Sequence, residues 1–423
     1  MSSLNITYID DPEQLVQLSS VMKASDLIAL DTEFDRSQSF YAKLGLVQVA
    51  CSAEPERQFL LDTVAMAPQL IADKGGLLEV LIDPLKVKIL HACSEDVEVL
   101  MHNLEMKSTQ HSIVNLFDTQ IAAAYLNRGS QIGYGELVKQ FAGVHLTKEE
   151  TRSDWVARPL TEQQIAYAAN DVKYLLVCYQ PIKEALLQQG RYEWVLEDSQ
   201  RYVLAQQKEE AFDRYYLKFR NGWNFDKKQV ALLRDLCAWR EEMAREIDTP
   251  RTRIVRDSSL FEIAEKQPSS LKGLLRLKSL QGKSRDIRHV KQYANQILAR
   301  VNVLDEKTEQ TPPQPIEPPL ERDLKQLFKA CKALISEVAE QKQIPQERLL
   351  SRNELYRLVA AYAHHLATDR PAMMPQSMQG WRKLIIIQPL CELLDRYRDE
   401  LVERYTLLER KAFRWQQESE PSS

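Results

Sequence analysis

Two acidic residues, separated by one position, follow a short apolar run near the start of the chain. In LIALDTEF, Asp31 and Glu33 come after four apolar residues, a pattern that predicts a buried β-strand. Side chains two positions apart on a strand point to the same face, about 7 Å apart. Carboxylates held this close repel each other, whereas a divalent cation removes the repulsion and prefers oxygen ligands. The spacing predicts a cation site, although the pair alone is also typical of a strand that ends in solvent.

Two further segments combine an acidic residue with a predicted helix. In KILHACSEDVEVL, an apolar strand ends at His91, an expected hydrogen-bonded core residue, and leads into a helix that Ser94 is expected to cap. Asp96 then lies in the first turn. In IAYAANDVKYLL, Tyr167 and Asp171 are four residues apart and share one helical face. Each segment has an ordinary explanation, such as a carboxylate that complements a helix dipole, so only the combination is informative.

The elements that position these residues follow an α/β pattern over the first 190 residues. We predict strands at Leu27–Leu30, Leu44–Cys51, Phe59–Leu61, Val87–His91 and Val114–Phe117. We predict helices at Pro12–Ala24, Ser94–Asn103, Thr119–Leu126, Gly135–Phe141 and Thr161–Leu187. Beyond about residue 200, helical patterns dominate and the fold class changes.

A proline-rich segment divides the helical part of the chain. Residues 308–319, TEQTPPQPIEPP, contain five prolines in twelve residues and are expected to form a semi-rigid linker. The segments on either side share a sequence pattern. Pro250 corresponds to Pro345 at an offset of 95 residues, and Gly282 corresponds to Gly380 at an offset of 98. We interpret the two segments as divergent copies of one helical unit.

The composition bounds the class of protein. The chain has 423 residues, 44% of them hydrophobic and 27% charged, which predicts a globular protein of two or three domains. No apolar run is long enough to span a membrane, and the six cysteines are spaced singly, without zinc-site or disulfide spacing. We therefore expect a cytoplasmic protein with no membrane segment. The sequence shows no obligate protein partner and does not fix the oligomeric state, for which a monomer is the expectation.

The acidic residues, taken together with their surroundings, resemble a known family. The strings DTEF with Asp31 and Glu33, LHACSED ending at Asp96, and Tyr167-x-x-x-Asp171 resemble the DEDD superfamily of 3′–5′ exonucleases in its DEDDy form, and within it the ribonuclease D family. Supporting strings are LGLVQ (44–48), FDTQIAAAYL (117–126) and SDWVARPLTEQQIAYAANDVKYLL (153–176). The two helical units resemble HRDC domains.

The resemblance implies a fold and a domain order. The fold would be an α/β RNase H-like exonuclease domain, a mixed sheet flanked by helices, followed by two small all-α HRDC-like domains. The implied divisions are an exonuclease domain at 1–200, a first HRDC-like domain at 215–305, a proline-rich linker at 306–319, a second HRDC-like domain at 320–405 and a C-terminal tail at 406–423.

The resemblance also implies a mechanism, two-metal-ion hydrolysis that releases nucleoside 5′-monophosphates from the 3′ end. Asp31 would bridge both ions, Glu33 and Asp171 would complete the site on the side of the attacking water, and Asp96 would hold the second ion mostly through water. Tyr167 would orient the attacking water, since a phenol with a pKa near 10 is a better donor than base at pH 7. The expected ions are Mg²⁺, with Mn²⁺ as an alternative.

The expected substrate is RNA, especially tRNA precursors with single-stranded 3′ ends. Residues 221–300 hold 17 Lys/Arg against 10 Asp/Glu, a net +7 in a chain whose total is −4. The residues expected to contact RNA phosphates there are Arg251, Arg253, Arg256, Lys278, Lys283 and Arg285, with Lys272, Arg276 and Arg288 as further candidates. Residues 321–400 carry only +2 and are expected to contribute shape or domain packing.

Two other functions fit the same motifs. A 3′–5′ DNA exonuclease would use the same carboxylates, because either phosphodiester can be hydrolysed by this chemistry, and HRDC-like domains also accompany DNA helicases. A non-catalytic nucleic-acid-binding protein could retain the fold, although the intact acidic positions argue against it. The domain order favours RNA over DNA.

Overall fold

A six-stranded mixed sheet forms the centre of the N-terminal domain. The computed structural model describes residues 5–73, 76–106, 112–146, 153–207, 212–303, 313–317, 324–372 and 374–417. The strands are β1 (Asn5–Ile9), β2 (Leu27–Asp35), β3 (Lys43–Cys51), β4 (Arg57–Asp62), β5 (Val87–Leu90) and β6 (Leu116–Asp118), in the order β1-β4-β3-β2-β5-β6. The pairs β2–β3 and β3–β4 are antiparallel and the other three are parallel. The predicted mixed sheet is confirmed.

Helices cover both faces of this sheet. They are α1 (Leu15–Lys23), α2 (Pro68–Asp73), α3 (Leu77–Ile82), α4 (Ser94–Asn103), α5 (Thr119–Tyr125), α6 (Tyr134–Ala142), α7 (Glu162–Gln188) and α8 (Tyr192–Gln206). Successive strand residues alternate between the faces. On β2, Ile28 and Leu30 pack with α1, α3 and α4, whereas Ala29 packs with α5, α6 and α7. By the same alternation, Asp31 and Glu33 lie on the face of Ala29.

The predicted strands all occur, with shifted ends. The largest difference is β2, which was predicted to end at Leu30 but continues to Asp35 because its polar residues pair with β3, with a register shift between Glu33 and Phe34.

The strand β1 was not predicted. Only Ile9 in it is buried, so it lacks a periodic apolar signal. The short helices α2 and α3 were not predicted either, while all five predicted helices occur within three residues of their expected ends.

The second half of the described chain is helical. Two 3₁₀ segments, Phe212–Lys218 and Arg220–Asn224, precede α9 (Lys227–Glu246), α10 (Arg251–Ile254), α11 (Asp257–Lys266), α12 (Leu271–Leu274), a 3₁₀ turn at Lys278–Leu280, α13 (Ser284–Gln292) and α14 (Ala294–Asn302). Then follow α15 (Lys325–Lys342), α16 (Gln346–Leu349), α17 (Arg352–Thr368), a 3₁₀ turn at Gln376–Met378, a π-helical turn at Lys383–Ile387, α18 (Gln388–Asp395) and α19 (Arg398–Gln417).

The two helical units share the features that their sequence offsets predict. Pro250 and Pro345 each precede a four-residue helix, and each of these helices is followed by an extended residue. Gly282 and Gly380 both have positive φ, 71° and 65°, a conformation that costs glycine little. The pairing of positions across the linker therefore corresponds to equivalent backbone geometry.

Part of the proline-rich linker packs on the first helical unit. Residues 313–317 are described, and Ile316 is buried in the core of that unit with α9 and α11. The Tyr216 hydroxyl donates to the carbonyl of Gln314 over 2.9 Å. The rest of the linker lies outside the described residues. The domain divisions stay a prediction. Two helices cross the expected boundaries, because α8 continues past residue 200 to Gln206 and α19 continues past residue 405 to Gln417.

The second helical unit shares a hydrophobic core with the N-terminal domain. One continuous cluster joins α5, α7 and α8 to α15, α17 and α18. At its edge Trp194 stacks on Trp381 with ring centroids 4.3 Å apart. The Arg382 guanidinium donates to both carboxylate oxygens of Asp198 over 2.5 and 2.8 Å, and both side chains are buried. Although burial opposes the charged form, this guanidinium lowers the pKa of Asp198.

We predict that Asp198→Asn or Arg382→Ala lowers the free energy of unfolding by about 3–5 kcal/mol, because the first leaves the buried Arg382 without its carboxylate and the second leaves the buried Asp198 with only Arg201, 3.1 Å away, as a cationic partner. The loss should be measurable by urea denaturation followed through the fluorescence of the stacked tryptophans. Because the folded-state pKa of Asp198 is depressed, the stabilisation in the wild type is present above the unfolded pKa, near 4, and disappears as the pH falls below it.

Arg398→Ala is the matched control, since Arg398 also pairs with an aspartate, Asp395, but both side chains are about half exposed. We expect this variant to lose less than about 1 kcal/mol. Equal losses in the buried and the exposed variants would contradict the assignment of Arg382 to the domain interface.

Candidate active site

Three of the predicted carboxylates converge between β2 and α7. Asp31 and Glu33 alternate with the residues of β2 that face the opposite side, so they share the face of Ala29 and point towards α7. Asp171 lies on α7, in its third turn. One carboxylate oxygen from each of these residues lies within 4.8 Å of the others, close enough to hold a metal ion between them.

The fourth carboxylate, Asp96, approaches from the other face of the sheet and is not one of the three residues whose oxygens lie within 4.8 Å, although its charge is near enough to raise the pKa of Asp31 and Glu33. It lies in the first turn of α4 and is 8% exposed. Thr32, between Asp31 and Glu33 on β2, points to that face, and its hydroxyl donates to Asp96 Oδ1 over 2.5 Å. The expected cap of α4 is wrong, because Ser94 is the first helical residue and the cap position is Cys93, which makes no side-chain capping bond.

A buried carboxylate that the sequence analysis did not select, Asp118, holds the start of α4. Its oxygens accept the backbone N–H groups of Ala92 and Cys93, both over 3.1 Å. They also accept those of Gln120 and Ile121 over 2.7 and 3.3 Å, which caps α5. The turn needs this support because Ala92 has a φ of 55°. From the sequence, an aspartate at a helix start predicts only a capping role for Asp118. Its support of residues 92 and 93 could not be predicted, because those residues lie 26 and 25 positions away.

Tyr167 lies one turn before Asp171 on α7, and its hydroxyl hydrogen-bonds the Asp171 carboxylate. Its ring packs 6.0 Å from that of Trp155 in the segment before α7. That segment lies directly on β3 at Gly45, where a Cβ atom would come within 2.3 Å of the Trp155 carbonyl oxygen. Any larger residue at position 45 would displace Trp155. The glycine therefore determines how closely the segment that contains Trp155 approaches the site.

The charge state of the site depends strongly on burial. Burial is the largest cause that raises the pKa of Asp31 well above its ordinary value, followed by the charges of Asp96, Asp171 and Glu33. Burial and then the Asp171 and Asp96 charges raise the pKa of Glu33 to about 9. The pKa of Asp171 rises to about 7 and that of Asp96 to about 6, both through burial, with partial offset from the Tyr167 and Thr32 hydroxyls. Without a cation, the site retains protons near neutral pH.

His91 is hydrogen-bonded, as expected, but it is only partly buried. Its Nδ1 lies 2.9 Å from the Thr119 hydroxyl and its Nε2 lies 3.1 Å from the carbonyl of Ile132, so both ring nitrogens are engaged. Burial lowers the pKa of the imidazole, which favours the neutral form. No ring nitrogen is left for a metal ion at this residue.

The six basic residues expected to contact RNA fall into two groups. Arg251 and Arg256 pair with Glu241 and Asp286 over 2.6 and 2.8 Å, and Arg253 donates to Gln38 of the N-terminal domain. The other three residues, Lys278, Lys283 and Arg285, are exposed at the turn before α13 and at its start. The first group contributes to folding and domain contacts, while the second is open to solvent.

Comparison with known proteins gives the class and then the family. Residues 6–187 match a family model described as a 3′-5′ exonuclease, residues 229–301 match the HRDC domain, and residues 323–390 match the model "Ribonuclease D, C-terminal HRDC domain". The fold and the acidic cluster are therefore those of a 3′–5′ exonuclease with two HRDC-type domains. The chain belongs to the ribonuclease D family, and it is a 3′–5′ exoribonuclease.

Similarity to ribonuclease D extends over nearly the whole chain. The chain is 35% identical to ribonuclease D of Pseudomonas paraeruginosa over 391 residues, which cover 92% of this chain and 98% of the relative. It is 33% identical to ribonuclease D of Escherichia coli over 395 residues, covering 93% and 100%. The crystal structure of Escherichia coli RNase D, "an exoribonuclease involved in structured RNA processing", superposes with a TM-score of 0.81 and 31% identity, covering 93% and 99%.

These findings confirm the fold class, the family and the exonuclease activity that the motifs predicted. The family depends on divalent metal ions, and the acidic cluster is the candidate site. Within the described part of the chain, no helix has the length and apolar character needed to cross a bilayer. The six cysteines are free thiols, and five of them are buried.

We predict that the affinity for a divalent ion rises at least about tenfold between pH 6 and pH 8, because the ion must displace protons from carboxyl groups whose pKa is raised. Without metal, the same shifts make the fold less stable as the pH rises from about 4 to about 9, since the folded site holds protons that the unfolded chain has released. Calorimetric titration with Mn²⁺ and thermal melts with and without Mn²⁺ measure the two effects.

Asp31→Asn serves as the comparison, because the amide keeps the size of the side chain and removes one of the repelling charges. This variant should melt at a higher temperature than the wild type in the absence of metal at pH 8, and it should lose the stabilisation by Mn²⁺. Metal affinity that does not change with pH would show that the carboxylates are not the ligands.

Proposed function

We propose that the chain hydrolyses the 3′-terminal phosphodiester of RNA at a site for two divalent ions held by Asp31, Glu33, Asp96 and Asp171. The observation that carries the proposal is the convergence of oxygens from Asp31, Glu33 and Asp171 to within 4.8 Å, in a setting that raises the pKa of each. Anionic oxygen ligands fit Mg²⁺, which we propose as the physiological ion, with Mn²⁺ as a substitute.

When bound, the two ions supply the positive charge that allows water to lose a proton near neutral pH and that stabilises the leaving 3′ oxygen. Asp31, which has both Glu33 and Asp96 beside it on β2 and α4, is suited to hold both ions. Glu33 and Asp171 would complete the ligands of the ion that activates the attacking water. Asp96, whose carboxylate accepts the Thr32 hydroxyl, would hold the second ion mostly through water.

Tyr167 positions the attacking water by accepting a hydrogen bond from it, because the single proton of its hydroxyl is donated to Asp171. Burial, followed by the charges of Asp171 and Glu33, raises the pKa of its phenol far above neutrality, so it keeps its proton during turnover. The hydrogen bond to Asp171 fixes the hydroxyl at the edge of the cluster. Removal of this hydroxyl leaves the charge of the site unchanged.

The proposed products are nucleoside 5′-monophosphates released one at a time, and the proposed substrates include tRNA precursors trimmed at a single-stranded 3′ end. The relative from Escherichia coli is described as acting on structured RNA, which supports RNA over DNA for this chain. We further propose that the protein works as a cytoplasmic monomer. Matched RNA and DNA oligonucleotides, each labelled at the 5′ or the 3′ end, test the direction and the sugar preference.

We predict that Asp31→Ala and Asp171→Ala each reduce turnover at least about 10³-fold, because each removes a proposed metal ligand. Tyr167→Phe should lose about 10- to 100-fold and keep measurable activity, since it removes one positioning contact. Release of labelled mononucleotide from 3′-labelled RNA in the presence of Mg²⁺ measures these rates.

Glu95→Ala is the control for the carboxylate variants. Glu95 is the exposed neighbour of Asp96 on α4, and its loss should leave turnover within about twofold of the wild type. Equally mild losses in Asp31→Ala, Asp171→Ala and Tyr167→Phe would contradict the assignment of the site.

We propose that Lys278, Lys283 and Arg285 of the first HRDC-like domain bind RNA phosphates. Replacing all three with glutamine should weaken binding of a tRNA precursor about tenfold and reduce the dependence of log affinity on log salt by about 2, at about 0.7 for each single-strand phosphate that is no longer neutralised. Substitution is preferable to deletion of the helical units, because the second unit shares its core with the exonuclease domain. Filter binding at several salt concentrations measures both quantities.

The matched control replaces three exposed lysines of α15, Lys325, Lys329 and Lys342, with glutamine. This change removes the same net charge from the second unit and should leave affinity and salt dependence close to those of the wild type. Equal weakening by the two triple variants would mean that RNA responds to overall charge and not to this surface.

A further inference from the structure

A buried glutamine lies next to Asp31 in the sheet. Gln48 is on β3, directly opposite Asp31 in the register of the β2–β3 pair, and it is 0% exposed. Among the residues that the structure describes, neither its amide oxygen nor its amide nitrogen has a hydrogen-bond partner. A primary amide can donate two hydrogen bonds and also accept them. The side chain therefore places unused hydrogen-bonding capacity beside the acidic cluster.

The alternation of β3 places the Gln48 side chain on the face of the sheet that α7 covers. Leu46 and Ala50, two positions before and after it, belong to hydrophobic clusters that include residues of α7, so the position between them faces the same helix. Asp31 points to this face as well, because Ala29, two positions before it, packs with α7. Directly opposite residues of an antiparallel pair have Cβ atoms about 4.5–5.5 Å apart. The amide and the Asp31 carboxylate therefore lie side by side under α7.

The other neighbours of Gln48 in the sheet are apolar. Along β3 they are Leu46 and Ala50, and on β4 the opposite residue is Leu60. All three are buried. Of these four neighbours in the sheet, only Asp31 has a polar side chain. Since burial of an amide without a partner opposes folding, its retention here indicates that it gains a partner in the working protein, and Asp31 is the neighbour that can provide one.

We propose that Gln48 is a positioning residue for Asp31, to whose carboxylate its amide donates a hydrogen bond when divalent ions occupy the site. This bond would fix the orientation in which Asp31 holds the ions. Hydrogen-bonded partners of metal-binding carboxylates orient the ligands, and their loss reduces metal affinity or activity about 10- to 100-fold. The proposal rests on the proposed function, because it assumes that Asp31 is a metal ligand.

The chemistry of an amide suits this position. An amide N–H donates to a carboxylate without carrying a charge, whereas a lysine or arginine would neutralise Asp31 and compete with the ions for it. A carboxyl group would add a fifth member to the repelling cluster. A neutral donor can orient Asp31 and leave its charge available to the ions. Without ions, the same amide remains a buried polar group that opposes folding.

The test compares Gln48→Met with the wild type in the absence and the presence of Mn²⁺. Methionine is unbranched and similar in length to glutamine, but it has no N–H group. Without metal, the variant should melt at or above the wild-type temperature, because an apolar group replaces an unpartnered amide. Calorimetric titration should show an affinity for Mn²⁺ that is lower by about tenfold, and the rise in melting temperature caused by Mn²⁺ should be smaller.

Steady-state kinetics separate positioning of a metal ligand from binding of RNA. With saturating Mg²⁺, kcat for release of mononucleotide from unstructured RNA should fall about 10- to 100-fold in Gln48→Met. The KM for RNA should stay within about threefold of the wild type, because the amide acts on Asp31 and not on the RNA. Gln48→Leu, a second apolar variant, should show the same pattern.

Gln58→Met is the matched control. Gln58 is also 0% exposed and lies on the same face of the sheet, opposite Ala50 and one strand farther from Asp31. Within the described part of the chain its amide oxygen likewise has no hydrogen-bond partner, while its nitrogen donates to the carbonyl of Pro55 over 3.5 Å. This variant should keep its affinity for Mn²⁺ and its kcat within about twofold of the wild type.

Three results would overturn the proposal. Unchanged Mn²⁺ affinity and kcat in both Gln48 variants would show that the amide does not act on Asp31. A clearly lower melting temperature of these variants without metal would assign Gln48 to packing of the sheet. Equal losses in Gln48→Met and Gln58→Met would show that the site responds to any change under α7. A wild-type protein that neither binds Mn²⁺ nor releases mononucleotide would instead reject the proposed function.

Discussion

The mutual repulsion of four carboxylates in one poorly hydrated place is the constraint on which the rest of the structure depends. Two unit charges at about 4–5 Å repel by about 3–4 kcal/mol at the effective dielectric constant of a protein. Three of the four side chains lie that close. The protein tolerates this cost because the cluster can be neutralised in either of two ways, by retained protons or by cations. The same property makes the site competent for metal-dependent hydrolysis and sensitive to pH.

The elements around the cluster prevent it from relaxing by moving apart. The alternation of β2 sends Asp31 and Glu33 towards α7, while Thr32 reaches to the other face and fixes Asp96. Asp118 holds the backbone that begins α4. The loop before α7 is anchored independently, as Arg158 donates to Asp62 over 2.6 and 2.7 Å and to the Gly45 carbonyl over 2.6 Å. The carboxylates are thus held by several separate elements, and no single shift releases the repulsion.

From the sequence one could predict which side chains share a face of one strand or helix. Contacts between residues far apart in the chain could not be predicted. The Asp31–Glu33 spacing is sufficient to put both side chains on one face, and the four-residue spacing of Tyr167 and Asp171 does the same on a helix. Their convergence could be predicted only from a family resemblance, because nothing in the spacing fixes how α7 crosses β2. The support from Asp118, the buried Asp198–Arg382 pair and the extension of β2 to Asp35 depend on contacts across 25 to 184 residues or on pairing with β3. Periodicity carries no signal for such contacts.

The arginines of the first HRDC-like domain show why a count of charges is a poor measure of nucleic-acid binding. Arg256 faces Asp286, and Arg251 faces the buried Glu241, so ion pairs offset part of the +7 of this region. Arg245 lies on Phe40 and Phe212, with its guanidinium 4.6 and 4.8 Å from their ring centroids. Since Phe40 belongs to the loop that leaves β2, these contacts help to hold the first helical unit against the N-terminal domain. Several of the charges counted in this region therefore serve folding and domain docking, and only the exposed ones are available to a polyanion.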